Sequence, residues 1–369
     1  MTTGKRFGLA VAVVLAGVNA IGALRVQAVP RYSARYEQTC ALCHVNPTGG
    51  GMRTTYASQE MVPKEFAWSP PDSGFLADLD PRLSKHVTIG ADFREIYATS
   101  DVDANHLGFF QMQGDAYLAF QLEAKSTLYY DRGLSNTYEL FGLHYWRPWA
   151  YVKAGRFVPA YGWKFDDHTH FVRSDLGFFP PGSSDVGLEL GFTPSRFDLQ
   201  LSLLNGQRGS VQDGDRKLAV GVNALYRFRV GPVGAGAGFE GLHQPGRLED
   251  VVSGGLHGYL TWENLFWLGQ GDLVRRDPAL GGETTGLATS HEFTWLIRRG
   301  LELKATYDFF DPDTRLGSGA RTRFGGGVFL MPRSYLALEG LYRSLQVDGG
   351  PALPGVDYNE AVLQLHILY

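Results

Sequence analysis

From Lys85 to Tyr369 the chain alternates apolar and polar residues with period two, in runs of roughly ten residues, the signature of a strand with two unlike faces. In LELKATYDF, Leu301, Leu303, Ala305, Tyr307 and Phe309 share one face, and Glu302, Lys304, Thr306 and Asp308 the other. FDLQLSL from Phe197, VGLELGF from Val186 and VGVNALYRF from Val220 repeat the pattern. Sixteen strands are predicted, near 86–98, 108–122, 124–132, 137–147, 149–158, 184–193, 196–204, 217–229, 232–243, 252–262, 264–275, 287–297, 300–310, 321–331, 334–345 and 357–369, with fourteen as the alternative count. Between them, very short turns (TPSR, RVGP, ENL, RRG, MPRS) alternate with longer polar, glycine-rich segments. That alternation is the layout of a membrane barrel with short periplasmic turns and longer outer loops. The last strand ends on an apolar row, Leu363, Leu365, Ile367 and Tyr369, and Trp146, Trp149, Trp262, Phe266, Trp267 and Trp295 lie near strand ends, where aromatic girdles are expected.

The start of the chain reads differently. Lys5 and Arg6 precede an apolar stretch from Phe7 to Leu24 and a small-x-small site at Val26-Gln27-Ala28, the pattern of a cleaved secretory signal. After residue 28 no apolar run approaches the length of a membrane helix, so a membrane role must use strands. With 47 glycines and 13% aromatics, the composition suits twisted sheet. The predicted fold class is therefore all-β, a transmembrane antiparallel β-barrel of about 16 strands. The formal charge is −4, and loss of Lys5, Arg6 and Arg25 with the signal would take it to about −7, which argues against nucleic acid as a partner.

Only two cysteines are present, Cys40 and Cys43, followed by His44. In an exported chain Cys-x-x-Cys-His reads as covalent attachment of one haem c: two thiols spaced to meet the porphyrin vinyl groups, with an imidazole beside them to reach the iron. A Cys-x-x-Cys redox pair and half of a zinc site are the competing readings. The first lacks a βαβ unit around it, and the second lacks its other two ligands at usual spacing. The flanking sequence VPRYSARYEQTCALCHVNPTGGGMRTTYAS, through Pro30, Tyr32, Arg35, Asn46, Pro47, Gly51, Arg53 and Tyr56, resembles exported monohaem cytochrome leaders fused to outer-membrane barrels, among them the cytochrome-porins of iron-oxidising bacteria. The resemblance implies residues 1–28 as signal peptide, 29–84 as a small helix/loop haem-binding segment and 85–369 as the barrel. It also implies a bacterial outer-membrane location, with the haem segment periplasmic or inside the lumen. Met61, Met52, His86 and His366 are the candidate sixth ligands, the two histidines because strand parity turns them to the lumen near the periplasmic end.

The longest connection, residues 156–183, is the third outer loop, and long loops usually carry function. Its Asp166, Asp167, His168, His170 and Asp175 make either a loop metal site or a charged constriction. Three functions are in view. The first is an electron conduit that links an extracellular redox substrate, Fe(II) by resemblance, to a periplasmic c-type cytochrome across outer-membrane lipid. The second is a passive porin with a haem-bearing plug, its channel lined by Glu189, Asp198, Asn223, Glu302 and Lys304. The third is a soluble β-protein with haem.

Overall fold

The computed structural model describes residues 31–69, 80–102, 108–133, 138–176, 183–208, 210, 212, 214–349 and 355–369; the expected signal peptide lies outside them. Sixteen strands follow one another: β1 (Val87–Ser100), β2 (Phe109–Glu123), β3 (Ser126–Gly133), β4 (Tyr138–Arg147), β5 (Ala150–Phe157), β6 (Asp185–Phe192), β7 (Phe197–Leu204) and β8 (Ala219–Val230). The second half comprises β9 (Val233–Gln244), β10 (Glu249–Trp262), β11 (Leu265–Pro278), β12 (Thr284–Arg298), β13 (Leu301–Asp311), β14 (Arg321–Arg333), β15 (Leu336–Val347) and β16 (Tyr358–Leu368). Each pairs antiparallel with its sequence neighbours, and β1 pairs with β16, Arg94 opposite His366, so the barrel closes and no edge is left open. Every predicted strand is present, with ends within three residues of expectation.

The two faces of each strand sort as the alternation requires. On β13, Glu302, Lys304 and Asp308 point inward and are buried, while Ala305 is exposed outside. The outer wall carries an apolar band that includes Leu201, Leu203, Leu256, Phe293 and Leu363. This inverts a soluble barrel, whose polar residues face out, and is the surface that lipid selects. The reading as a soluble β-protein does not survive it. Phe266 departs from the girdle expectation: its parity turns it inward, where it packs on Leu296 beneath the Arg35 guanidinium, 5.5 Å from its ring.

Two insertions fill the lumen. The first is residues 31–69, with helix α1 (Arg31–Tyr36), a tight turn Cys40–Leu42 and a wide helical stretch Ala57–Phe66. Tyr32 stacks on Phe66 at 3.8 Å, and with Met61, Val62 and Ala67 they pack on Phe329, Met331 and Ala337 of β14 and β15. This segment closes the end of the barrel where the short turns lie. The Trp68 amide donates to Met331 O at 2.8 Å, Arg299 Nη1 donates to Lys64 O at 2.9 Å, and Glu37 pairs with Arg229.

The second is the third outer loop, between β5 and β6. It folds into the barrel and crosses to the far wall, where the Tyr161 hydroxyl donates to Asp272 Oδ1 (2.7 Å) and Trp163 Nε1 donates to Gly258 O (3.1 Å). A single helical turn, α2 (Phe171–Ser174), packs inside it.

With both insertions in place, four of the residues expected to line an aqueous channel, Glu189, Asp198, Glu302 and Lys304, are buried, and Asn223 is half-buried. Lys153 and Glu189, both fully buried, pair at 2.8 Å; Lys304 sits between Glu292 (3.1 Å) and Glu339 (2.6 Å); Asp198 pairs with Arg227. The strand reading gave their direction correctly. Their hydration depends on the plug and loop, whose long-range folding the alternation does not encode.

A lumenal cavity between plug and third loop

The Cys-x-x-Cys-His motif folds as one turn. The Cys43 and His44 amides both donate to Cys40 O, at 3.1 and 3.0 Å, so Cys40, Cys43 and His44 stand on one side at i, i+3 and i+4 spacing. Beyond the motif the chain reverses. The Val45 amide donates to Met52 O (3.0 Å), the Thr54 amide donates to Cys43 O (2.9 Å), and His44 bridges Arg53. The reversal uses Gly49, Gly50 and Gly51, all at positive φ (81°, 78° and 63°), a run of left-handed backbone that other residues strongly disfavour. At Gly51 a side chain is excluded twice, since a Cβ there would collide with the Tyr129 hydroxyl of the barrel wall. That hydroxyl accepts the Met52 amide at 3.1 Å, which docks the hairpin against β3.

His44 is oriented by the same hairpin. Its Nδ1 lies 3.3 Å from Gly51 O. A carbonyl can only accept, so the proton sits on Nδ1 and the other ring nitrogen carries the lone pair, the arrangement of a histidine prepared to ligate a metal. Burial and the nearby Arg53 push this imidazole down to about 4, so it is neutral at ordinary pH. Both thiols are free, and burial pushes them up, Cys43 to about 11.

The motif faces a cavity of about 300 Å³, at the small end for a ligand pocket. Its floor is the plug, through Cys40, Cys43, His44 and Met61. Its roof is the third loop, through Tyr161, Trp163, Lys164, Phe165 and His168. Lys164 joins roof to floor, its Nζ donating to Gly49 O (2.9 Å) and Thr48 Oγ1 (3.2 Å), and burial pushes its ammonium down to about 8. The barrel wall adds Asp92, Arg94, Asp198, Arg227 and His366, among others.

The four candidate sixth ligands separate. Met61 lines the cavity, its Sδ 3.3 Å from Cys43 Sγ. Met52 lies in the hairpin strand, 1% exposed, and packs with Tyr117 and Tyr129 in the core outside the cavity lining. His86 precedes β1 and is exposed at the rim, its Nδ1 2.9 Å from Gln121 O; parity gave its phase, but the strand stops short of it. His366 faces the lumen as expected, lines the cavity and holds Asp92 Oδ1 through Nε2 at 2.7 Å.

The third-loop residues do not gather around a common point. Asp166 pairs with Arg94 (3.0 Å), Asp167 with Arg343 (2.5 Å), His170 with Asp308 (2.7 Å), and Asp175 with Arg321. Each of these four groups thus locks onto its own strand, and among the described residues no three such side chains form a metal-binding group. Burial works against charge on Asp167, yet Arg343 holds its carboxyl well below the usual range. Burial likewise opposes charge on His170, and Asp308 reverses the balance and raises it. For His168 burial and Arg94 outweigh the pull of Asp166 and Asp167 and push it down to about 3. Sequence reasoning missed the partners on the wall, Arg94, Asp308, Arg323 and Arg343; inward-facing charged residues on four strands were the available signal.

No family model matches the chain, and no curated protein does. Solved structures do match its fold. The anion-selective porin from Comamonas acidovorans is similar over 77% of this chain and 99% of its own, with a TM-score of 0.58 at 14% identity. OmpT of Vibrio cholerae matches over 77% and 99%, with 0.58 at 10% identity. The outer membrane channel DcaP of Acinetobacter baumannii matches over 77% and 97%, with 0.55 at 10% identity. The fold is that of a porin-type 16-stranded barrel.

Proposed function

We propose that this chain is an outer-membrane barrel whose lumenal plug carries one covalent haem c, and that it passes single electrons between an extracellular redox substrate and a periplasmic c-type cytochrome. The observation that carries the reading is the motif turn inside the barrel: two free thiols and a neutral histidine, its Nδ1 engaged by Gly51 O, face one cavity walled by plug, loop and strands. This donor set fits a thioether-linked haem with His44 as the proximal ligand. When bound, the group supplies reversible Fe(III)/Fe(II) one-electron chemistry in a setting of low water content. The residues of the chain hold it: Cys40 and Cys43 anchor, Gly51 O fixes the imidazole, and the third loop excludes water above it. Fe(II) as the external donor comes from the resemblance of the motif region alone.

A second reading, a passive channel with a haem-bearing plug, has its own support in the likeness to porins and channels. Against it stand the buried ion pairs of the lumen, since an open pore hydrates such groups. One experiment separates the two. Purified protein is placed in liposomes loaded with a reductant, with an impermeant oxidant outside. The conduit reading expects oxidation of the trapped reductant without solute leakage, lost in Cys40→Ala/Cys43→Ala; leakage that persists in that variant establishes the channel instead. A purified protein without acid-stable haem absorbance overturns both forms.

A further inference from the structure

Arg227 belongs to the lumen wall, on β8, and is 1% exposed. Arg227 is among the residues that line the cavity Cys40, Cys43 and His44 face, and its charge reaches the Cys40 thiol, where it works against Asp198. Asp198 takes Nη2 alone. The Nε and Nη1 hydrogens are buried without an acceptor, and Asp198 Oδ1 and the Tyr259 hydroxyl are also buried without a partner.

Three other inward-facing cations of the wall are matched more fully. Arg323 reaches Asp308 twice and Thr169 twice, Arg343 reaches Asp167, Glu360 and Thr169, and Lys304 reaches two glutamates. A buried guanidinium N–H without an acceptor is costly, and folded proteins rarely leave two on one side chain. An arginine in this state at a cavity wall is a seat for a planar anion, above all a carboxylate. The haem placed here by the proposed function carries two carboxylates on flexible arms, tethered to the cavity through the cysteines.

We infer that Arg227 binds a propionate carboxylate of the haem and so fixes the cofactor's orientation in the lumen and its redox poise. The inference rests on the haem reading. Arg227 is a positioning residue, since it touches the periphery of the cofactor and not the iron.

The test uses full-length protein carrying its haem in detergent, compared as wild type, Arg227→Gln, Arg227→Lys, Asp198→Asn and the double variant Arg227→Gln/Asp198→Asn. The readouts are the reduction potential from about pH 6 to about pH 8, toward which burial without a cation raises a propionate's titration, and the propionate bending mode in the resonance Raman spectrum. Arg227→Gln is expected to lower the potential at the alkaline end, to introduce a pH slope that wild type lacks, and to shift the propionate mode. Arg227→Lys keeps most of the potential but not the mode, because a point charge replaces the fork. Asp198→Asn leaves the mode in place. The double variant tests whether the effect is only that of an unpaired Asp198. If it returns to the wild-type potential, slope and mode, Arg227 serves Asp198 alone and the inference fails. If it keeps the shift, the inference stands, and it also covers a single Gln variant too unstable to purify. Wild-type protein without covalent haem fails at the reading beneath, a result distinguishable at the first spectrum.

Discussion

At the residue scale the sharpest contrast lies within three consecutive glycines. Gly50 has positive φ, and a methyl group there would meet only Lys164 Cδ, at 3.8 Å, so Gly50→Ala bears the cost of left-handed backbone, about 1–2 kcal/mol. Gly51→Ala meets that cost and a collision with Tyr129, and it is expected to undock the hairpin, with a plug cut faster by added protease than in Gly50→Ala. Equal behaviour of the two variants would show that Tyr129 does not seat the hairpin. His44 adds a pH dependence to the haem-free Cys40→Ala/Cys43→Ala chain. The unfolded imidazole takes a proton near pH 6.5, the folded one only near 4, so between these values the unfolded state binds more protons and stability falls as pH falls. Plug docking is expected to weaken by on the order of 2 kcal/mol from pH 7 to pH 4.5, after allowance for lumenal water, and to be level above pH 7; denaturant titration of protease resistance measures it. The motif itself was legible as a triplet of residue types. The hydrogen bond that orients His44 was not, because it depends on a glycine hairpin held by a tyrosine 77 residues away.

Among elements, the strands were legible because each is chosen by two solvents: apolar side chains meet lipid and polar ones the lumen, and period two records both. The third loop was legible as long and charged, yet its charges suggested a metal cluster, whereas they latch onto separate strands. One sequence cannot say which of several inward arginines an aspartate will meet. The latch centred on Asp308 shows what is at stake, since it accepts from His170, Ser290 and Arg323 in a site closed to solvent. Arg323→Met leaves Asp308 and the Thr169 carbonyl short of a donor, and breaking a buried pair from one side costs about 3–5 kcal/mol. The closed barrel absorbs such a loss, so the expected result is a loosened loop, seen as higher single-channel conductance in planar bilayers with heat-modifiable migration unchanged. Wild-type conductance in this variant would show that the loop is held without the latch.

For the whole molecule, charge is distributed unevenly between ends. The chain is −4 overall, yet every short turn except the one at Glu263 is flanked by arginine or lysine, with Lys125, Arg147, Arg196 and Arg298 exposed and Arg229 paired with Glu37, and Lys85 adds to them beside β1. Glu123, Glu263, Glu60 and Asp80 offset part of this, but Glu60 and Asp80 are already paired with Lys64 and Arg82. The end of the barrel that the plug closes is thus a cationic rim around the segment that carries the Cys-x-x-Cys-His motif. Long-range attraction from such a rim raises encounter rates with acidic surfaces and is screened by salt. A small acidic one-electron carrier is therefore expected to exchange electrons with the reconstituted protein faster than a basic one of similar potential. Its rate should fall about tenfold between low and physiological ionic strength. Lys125→Glu/Arg147→Glu/Arg196→Glu, three turn residues away from the cavity, is expected to remove most of that salt dependence while leaving the reduction potential where it was. Stopped-flow mixing reads the rates, and a salt profile unchanged in the triple variant would place the docking surface elsewhere on the molecule.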